Sequence, residues 1–157
     1  MNGSYATNKP SGGRRTGSTS TPPLDSTPSL DLSKVLFKQP IDKDLFDGVA
    51  QTVAKTLASN KKSNKSSQLR RFYDEICMWA EKVGDHEENF HVYLPFIRML
   101  NAKVAYANGR RDLVDVNFVN LINHGLKQVE QPVDLKHFKL FMEAVMGFYK
   151  QERPKDS

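Results

Sequence analysis

In the last stretch of the chain, Phe138, Phe141, Met142, Val145, Phe148 and Tyr149 recur at steps of three and four. That spacing places them along one side of an α-helix and would scatter them over both faces of a strand. The same period runs almost throughout from Leu32 onward, with no strand-like alternation bounded by hairpin turns. The pattern predicts an all-α fold, a compact bundle of about five helices.

A short turn over Leu32 to Phe37 stops before Pro40. The first long helix is predicted over 41–58, with Phe46, Val49, Val53 and Leu57 on its stripe. Asn60 to Lys65 is a polar linker. The second helix starts at Ser66 or Ser67, both good N-cap residues, runs to about Gly84, and buries Leu69, Phe72, Ile76, Ala80 and Val83. A third segment covers 87–107, where Pro95 starts a new helix or kinks the old one, and Asn108-Gly109 reads as its C-cap pair. The fourth helix, about 112–129, buries Val119, Ile122, Leu126 and Val129, and Pro132 suits the first turn of the fifth.

Before Leu32 the composition changes. Met1 to Asp31 is rich in Ser, Thr, Gly and Pro, and such a segment buries too little apolar surface to offset ordering. Residues 1–31 are therefore expected to be a disordered low-complexity tail, Arg14 and Arg15 included, 32–151 the helical domain, and 152–157 a short C-terminal tail. Cys77 is the only cysteine, which excludes an intrachain disulfide and a cysteine-only metal site. No apolar run approaches a membrane span and the N-terminus has no apolar h-region, so a cytoplasmic protein without membrane contact is expected.

The charge is local. Lys and Arg number 23 against 18 Asp and Glu, a net of +5. Lys61, Lys62, Lys65, Arg70 and Arg71 fall in one stretch with no acid among them, and without them the count is 18 against 18. They gather before and within the first turn of the second helix, where the helix dipole and unpaired N–H groups favour acids. Each misplaced cation costs on the order of a few tenths of a kcal/mol, and a bound phosphate would reverse that sign. Pairing of Arg70 with Asp74 and of Arg71 with Glu75 is available at i, i+4, in the weaker orientation, and leaves the three lysines unexplained.

A second basic group, Lys103, Tyr106 and Arg110, shares a helix face by its spacing, with Arg111 adjacent. Cations interleaved with an aromatic ring suit phosphate contact plus stacking, although cations at a helix C-terminus also complement the dipole. The remaining candidates point to structure. His86 and His91 are five apart, the wrong step for two ligands on one helix face. Cys77, His124 and His137 read as core or near-core residues, and Asp112 and Asp115 as helix-start acids. Trp79 reads as core or as a docking face. No Gly-rich phosphate loop occurs, and no catalytic residue, metal or cofactor is assigned.

Three stretches together resemble a family. Ser66-Ser67-Gln68-Leu69-Arg70-Arg71-Phe72-Tyr73 is similar to the Ser-Gln-(apolar)-Arg-(basic) signature of the small subunit of type III-A CRISPR complexes. Ala102-Lys103-Val104-Ala105-Tyr106-Ala107-Asn108-Gly109-Arg110 resembles that family's second signature, a Tyr followed by a small residue, Gly and Arg. The segment from Phe138 to Tyr149, with its Met142-Glu143-Ala144, is similar to the family's last helix. The match covers about Leu45 to Lys150, in the family's order and spacing.

The resemblance implies a five-helix bundle that performs no chemistry and is present in several copies along the inner side of a ribonucleoprotein filament. Its implied partners are the guide RNA (crRNA), its target RNA, other copies of itself, and the backbone and large subunits, in antiviral defence. It maps the family's basic residues onto Arg70, Arg71, Lys103 and Arg110, with Gln68 and Tyr106 beside them. The length of the N-terminal tail departs from the pattern. A helical assembly module without nucleic-acid contact remains the alternative. A metal-dependent helical nuclease and a DNA-binding helix-turn-helix fit less well, the latter because the Asn/Ser/Lys linker exceeds that motif's usual turn.

Overall fold

A computed structural model describes residues 2–3 and 27–156. Most of the expected tail, with Arg14 and Arg15, lies outside the described residues. Six α-helices are present among them: α1 (Ala50–Ser59), α2 (Ser66–Asp85), α3 (Phe90–Arg98), α4 (Leu100–Gly109), α5 (Val116–Gln128) and α6 (Pro132–Glu152). These are the about five rods expected, with the third divided in two. α6 is the central rod, packed most extensively on α1 and α2, while α4 packs on α5. No helix among the described residues is long and apolar enough to cross a membrane.

The apolar stripe of α6 accounts for its position. Leu135, Phe138, Phe141, Met142, Val145 and Tyr149 are all buried, each fully buried large side chain contributing roughly 1.5–3 kcal/mol relative to exposure. Phe138 stacks on Phe37 with centroids 5.4 Å apart. Gly125 on α5 allows this ring its place, since a Cβ there would sit 2.5 Å from Phe138 Cε2 and Cζ. Pro132 occupies the first turn, and Asp134 closes a capping box with Gln131.

The first rod opens with a single wide turn, Leu45–Val49, before α1 begins. The wider turn shifts the register, so Leu45 is fully buried while Phe46 and Val49 are only partly covered. The third rod breaks at Met99. Pro95 lies inside α3, and after it the α-helical ladder gives way to tighter bonds, where Met99 N–H donates to Phe96 O at 3.3 Å and Met99 O accepts from Ala102 N–H at 3.0 Å. α4 ends at Gly109, but among the described residues no glycine takes a positive φ; Arg111 and Asp112 do, at 55° and 50°. Asp115, one of the two expected helix-start acids, is the N-cap of α5 and accepts from Phe118 N–H at 3.0 Å.

The packed chain reaches upstream of Leu32. Leu30 N–H donates to Asn117 Oδ1 at 3.0 Å, and Asn117 Nδ2 donates to Pro28 O at 2.9 Å. His124 and His137 hold the same strand of chain, through Val35 O at 2.7 Å and Phe37 O at 3.0 Å. Both histidines are thus structural, as their near-core positions suggest.

Candidate nucleic-acid interface

The two basic sequence groups meet in space. The α1–α2 linker and the α4–α5 linker bond directly to one another: Asn64 N–H donates to Leu113 O at 3.1 Å, and Asp115 N–H donates to Asn64 Oδ1 at 2.9 Å. Lys61, Lys62 and Lys65 on the first linker and Arg110 and Arg111 on the second therefore sit at one end of the bundle, all exposed. From that end a groove of about 370 Å³ runs between α2 and α4, with Gln68, Arg71, Lys103, Tyr106 and Arg110 in its walls. Tyr106 in that wall is 67% exposed.

Not all the cations are equally free. Lys103 Nζ lies 2.5 Å from Glu75 Oε1 across the groove. Arg70 points elsewhere: it lines the cavity between α2 and α6 and sits 3.8 Å from Asp74, both side chains well exposed. An exposed pair at that distance contributes little, about 0–1 kcal/mol. Lys61, Lys62, Lys65, Arg71, Arg110 and Arg111 have no ion-pair partner among the described residues. The pairing of Arg71 with Glu75 that the sequence offers is not made; Glu75 pairs with Lys103.

The end of α2 corrects the sequence argument. Its N-cap is Lys65, one residue before the serines expected there, and Lys65 provides no side-chain cap. An ammonium has no acceptor to offer. The acceptor comes from the far end of the chain, where Asp156 Oδ2 receives Ser66 N–H at 3.1 Å. An internal carboxylate thus already occupies the position where an external phosphate is expected, and the unpaired charge lies in the groove and linkers.

The linker that carries the lysines is held from beneath by a buried polar network that sequence reasoning missed. Asn64 takes φ 61°, a left-handed conformation that Asn tolerates better than most residues. Its Nδ2 donates to Leu57 O at 3.2 Å, and Asn60 Nδ2 donates to Asp115 Oδ2 at 3.1 Å. The Tyr149 hydroxyl donates to Asn64 O, and burial pushes its phenol up to about 12. Arg153 Nη1 donates to Ser63 O at 3.0 Å and to Asn60 O at 3.2 Å, and its Nη2 pairs with Asp156 at 2.9 Å. The residues after α6 are therefore packed against the linker rather than trailing from it. The only sequence signal is the Asn-rich linker itself, since Asn favours turns and local backbone bonding.

A second surface is apolar. Val92, Phe96 and Met99 are exposed along the outer side of the third rod, and Trp79 stacks on Phe96 with centroids 6.4 Å apart. Among the described residues no group of three or more His, Cys, Asp and Glu could hold a metal ion.

The family model described as Csm2 Type III-A matches residues 42–155, more than half of the chain and all of both basic groups. No curated protein and no solved structure matches.

Proposed function

Because the chain belongs to the Csm2 type III-A family, and is therefore a small subunit of a type III-A CRISPR complex, we propose that it binds the phosphate backbone of the complex's RNA along the α2–α4 groove. The supporting observation is convergence. Arg71 from one basic group and Lys103 and Arg110 from the other, more than thirty residues apart in sequence, line one groove, and six cations of the two groups have no internal acid among the described residues. Like charges gathered at one end of a fold raise one another's potential, an effect screened by salt. Folding alone gains nothing from that arrangement, whereas a polyanion does.

In this reading Arg71 and Arg110 contact phosphates from opposite walls, with Lys61, Lys62, Lys65 and Arg111 extending the track beyond the groove. Tyr106 supplies a stacking face for a sugar or base, and Gln68 an uncharged donor and acceptor. The contacts carry no base code, so base pairing between crRNA and target supplies specificity and the protein supplies charge and shape. The subunit is non-catalytic and acts in the cytoplasm in antiviral defence. The exposed Val92, Phe96 and Met99 surface supports contact with protein partners, namely further copies of the chain or the backbone and large subunits.

The test is a double charge reversal, Arg71→Glu with Arg110→Glu, in the full chain. RNA retention in a filter-binding assay should fall by more than tenfold at low salt while helicity is unchanged. Retention equal to wild type would support the helical assembly module instead.

A further inference from the structure

We infer that Arg153 and Asp156 form a C-terminal strap that positions the lysine linker for RNA, a role resting on the RNA reading above. Arg153 is a positioning residue and not itself a phosphate contact: its side chain is 10% exposed and turned inward. One guanidinium nitrogen reaches the carbonyls of Asn60, Ser63 and Asn64 at 3.2, 3.0 and 3.5 Å, together with the Tyr149 hydroxyl at 2.9 Å. The other holds Asp156, which in turn fixes the first N–H of α2 at Ser66. A single side chain thus gathers the backbone of the linker that displays Lys61, Lys62 and Lys65.

Such an arrangement has a physical purpose. A six-residue polar linker with no apolar anchor of its own would sample many conformations, and ordering each residue costs free energy on binding. Prior fixation by the strap, added to the bonds that Asn60 and Asn64 make, lowers that cost in the RNA-binding step. The Asn60 and Ser63 carbonyls would otherwise face solvent or a protein interior without a donor, and a buried guanidinium that donates to both satisfies both sides.

Two readouts test this. In the full chain, Arg153→Gln should raise amide hydrogen exchange across residues 61–66 by roughly tenfold, with α5 and the middle of α6 unchanged. Affinity for a short single-stranded RNA should fall about three- to tenfold, with the salt slope unchanged because no phosphate contact is removed. Asp156→Asn provides a milder break in the same strap should Arg153→Gln not fold. Unchanged exchange in the linker, or a loosened linker with wild-type affinity, overturns the inference. A shallower salt slope also overturns it, because Arg153 would then be touching phosphate. If the wild-type chain shows no salt-dependent RNA binding, the RNA reading itself fails, and with it the purpose assigned to the strap, whatever the exchange data show.

Discussion

Glu75 and Lys103 pair across the α2–α4 groove, placing the groove's one carboxylate beside one of its three cations. Glu75 repels an approaching phosphate and also occupies Lys103. It offsets the loss by joining two helices, but an interhelical pair with a half-exposed lysine contributes no more than about 1 kcal/mol.

Glu75→Gln should therefore strengthen RNA binding. The expected gain is about two- to fivefold at low salt, vanishing toward 0.5 M as screening takes over. The melting temperature should shift by no more than a few degrees. Weaker binding in this variant would mean that the pair orients Lys103 rather than masking it.

Neighbouring arginines should behave differently. Arg71 lines the groove and has no acid partner among the described residues, whereas Arg70 faces the α2–α6 cavity beside Asp74. Arg71→Glu should lower RNA affinity by roughly tenfold or more, and Arg70→Glu by less than about threefold. Equal losses in the two variants would place the RNA across the helix end rather than in the groove.

The buried Tyr149 phenol gives an alkaline signature. In the unfolded chain a tyrosine ionises at about pH 10, whereas in the fold burial holds it to about 12. Below pH 10 both states keep the proton and the stabilisation is whole. Above it only the unfolded chain ionises, so stability falls with rising pH until the folded phenol also titrates. Tyr73, its phenol raised chiefly by the neighbouring Cys77 side chain and by burial, acts in the same direction. Tyr149→Phe should thus flatten, without abolishing, the decline of melting temperature between pH 10 and 12. An equally steep decline in the variant would place the titrating group elsewhere.

Gly125 offers a test of the core that reverses a helix-propensity expectation. Glycine to alanine within a helix ordinarily gains up to about 1 kcal/mol. Here the added methyl would meet the Phe138 ring, itself fully buried and stacked on Phe37. Gly125→Ala should cost about 1–3 kcal/mol, a fall of about 2–4 °C per kcal/mol in thermal melts. A melting temperature at or above wild type would show that the ring can yield.

Much of the fold was legible because helical periodicity is a local property. The α6 stripe from Phe138 to Tyr149, the Pro132 start and the structural histidines all follow from spacing and residue type. The register of the first rod did not, since one wide turn at Leu45–Val49 exchanges Leu45 for Phe46 in the core. The basic residues were visible as two groups, but their union depends on Asn64 and Leu113 bonding across the fold. The supporting network was invisible for the same reason: Arg153 and Tyr149 meet the linker from positions 93 and 85 residues away. Asp156, capping α2 from the opposite end of the domain, shows why a helix end lacking a local acid is not thereby an open anion site.

Whether RNA phosphates lie in the groove is decided by salt dependence. The logarithm of the affinity for a short single-stranded RNA, plotted against the logarithm of salt concentration, has a slope set by the number of phosphates neutralised. Neutralising both groove arginines, Arg71→Gln with Arg110→Gln, should make that slope shallower by about 1.4. A slope identical to that of the wild-type chain would mean that neither arginine meets the RNA.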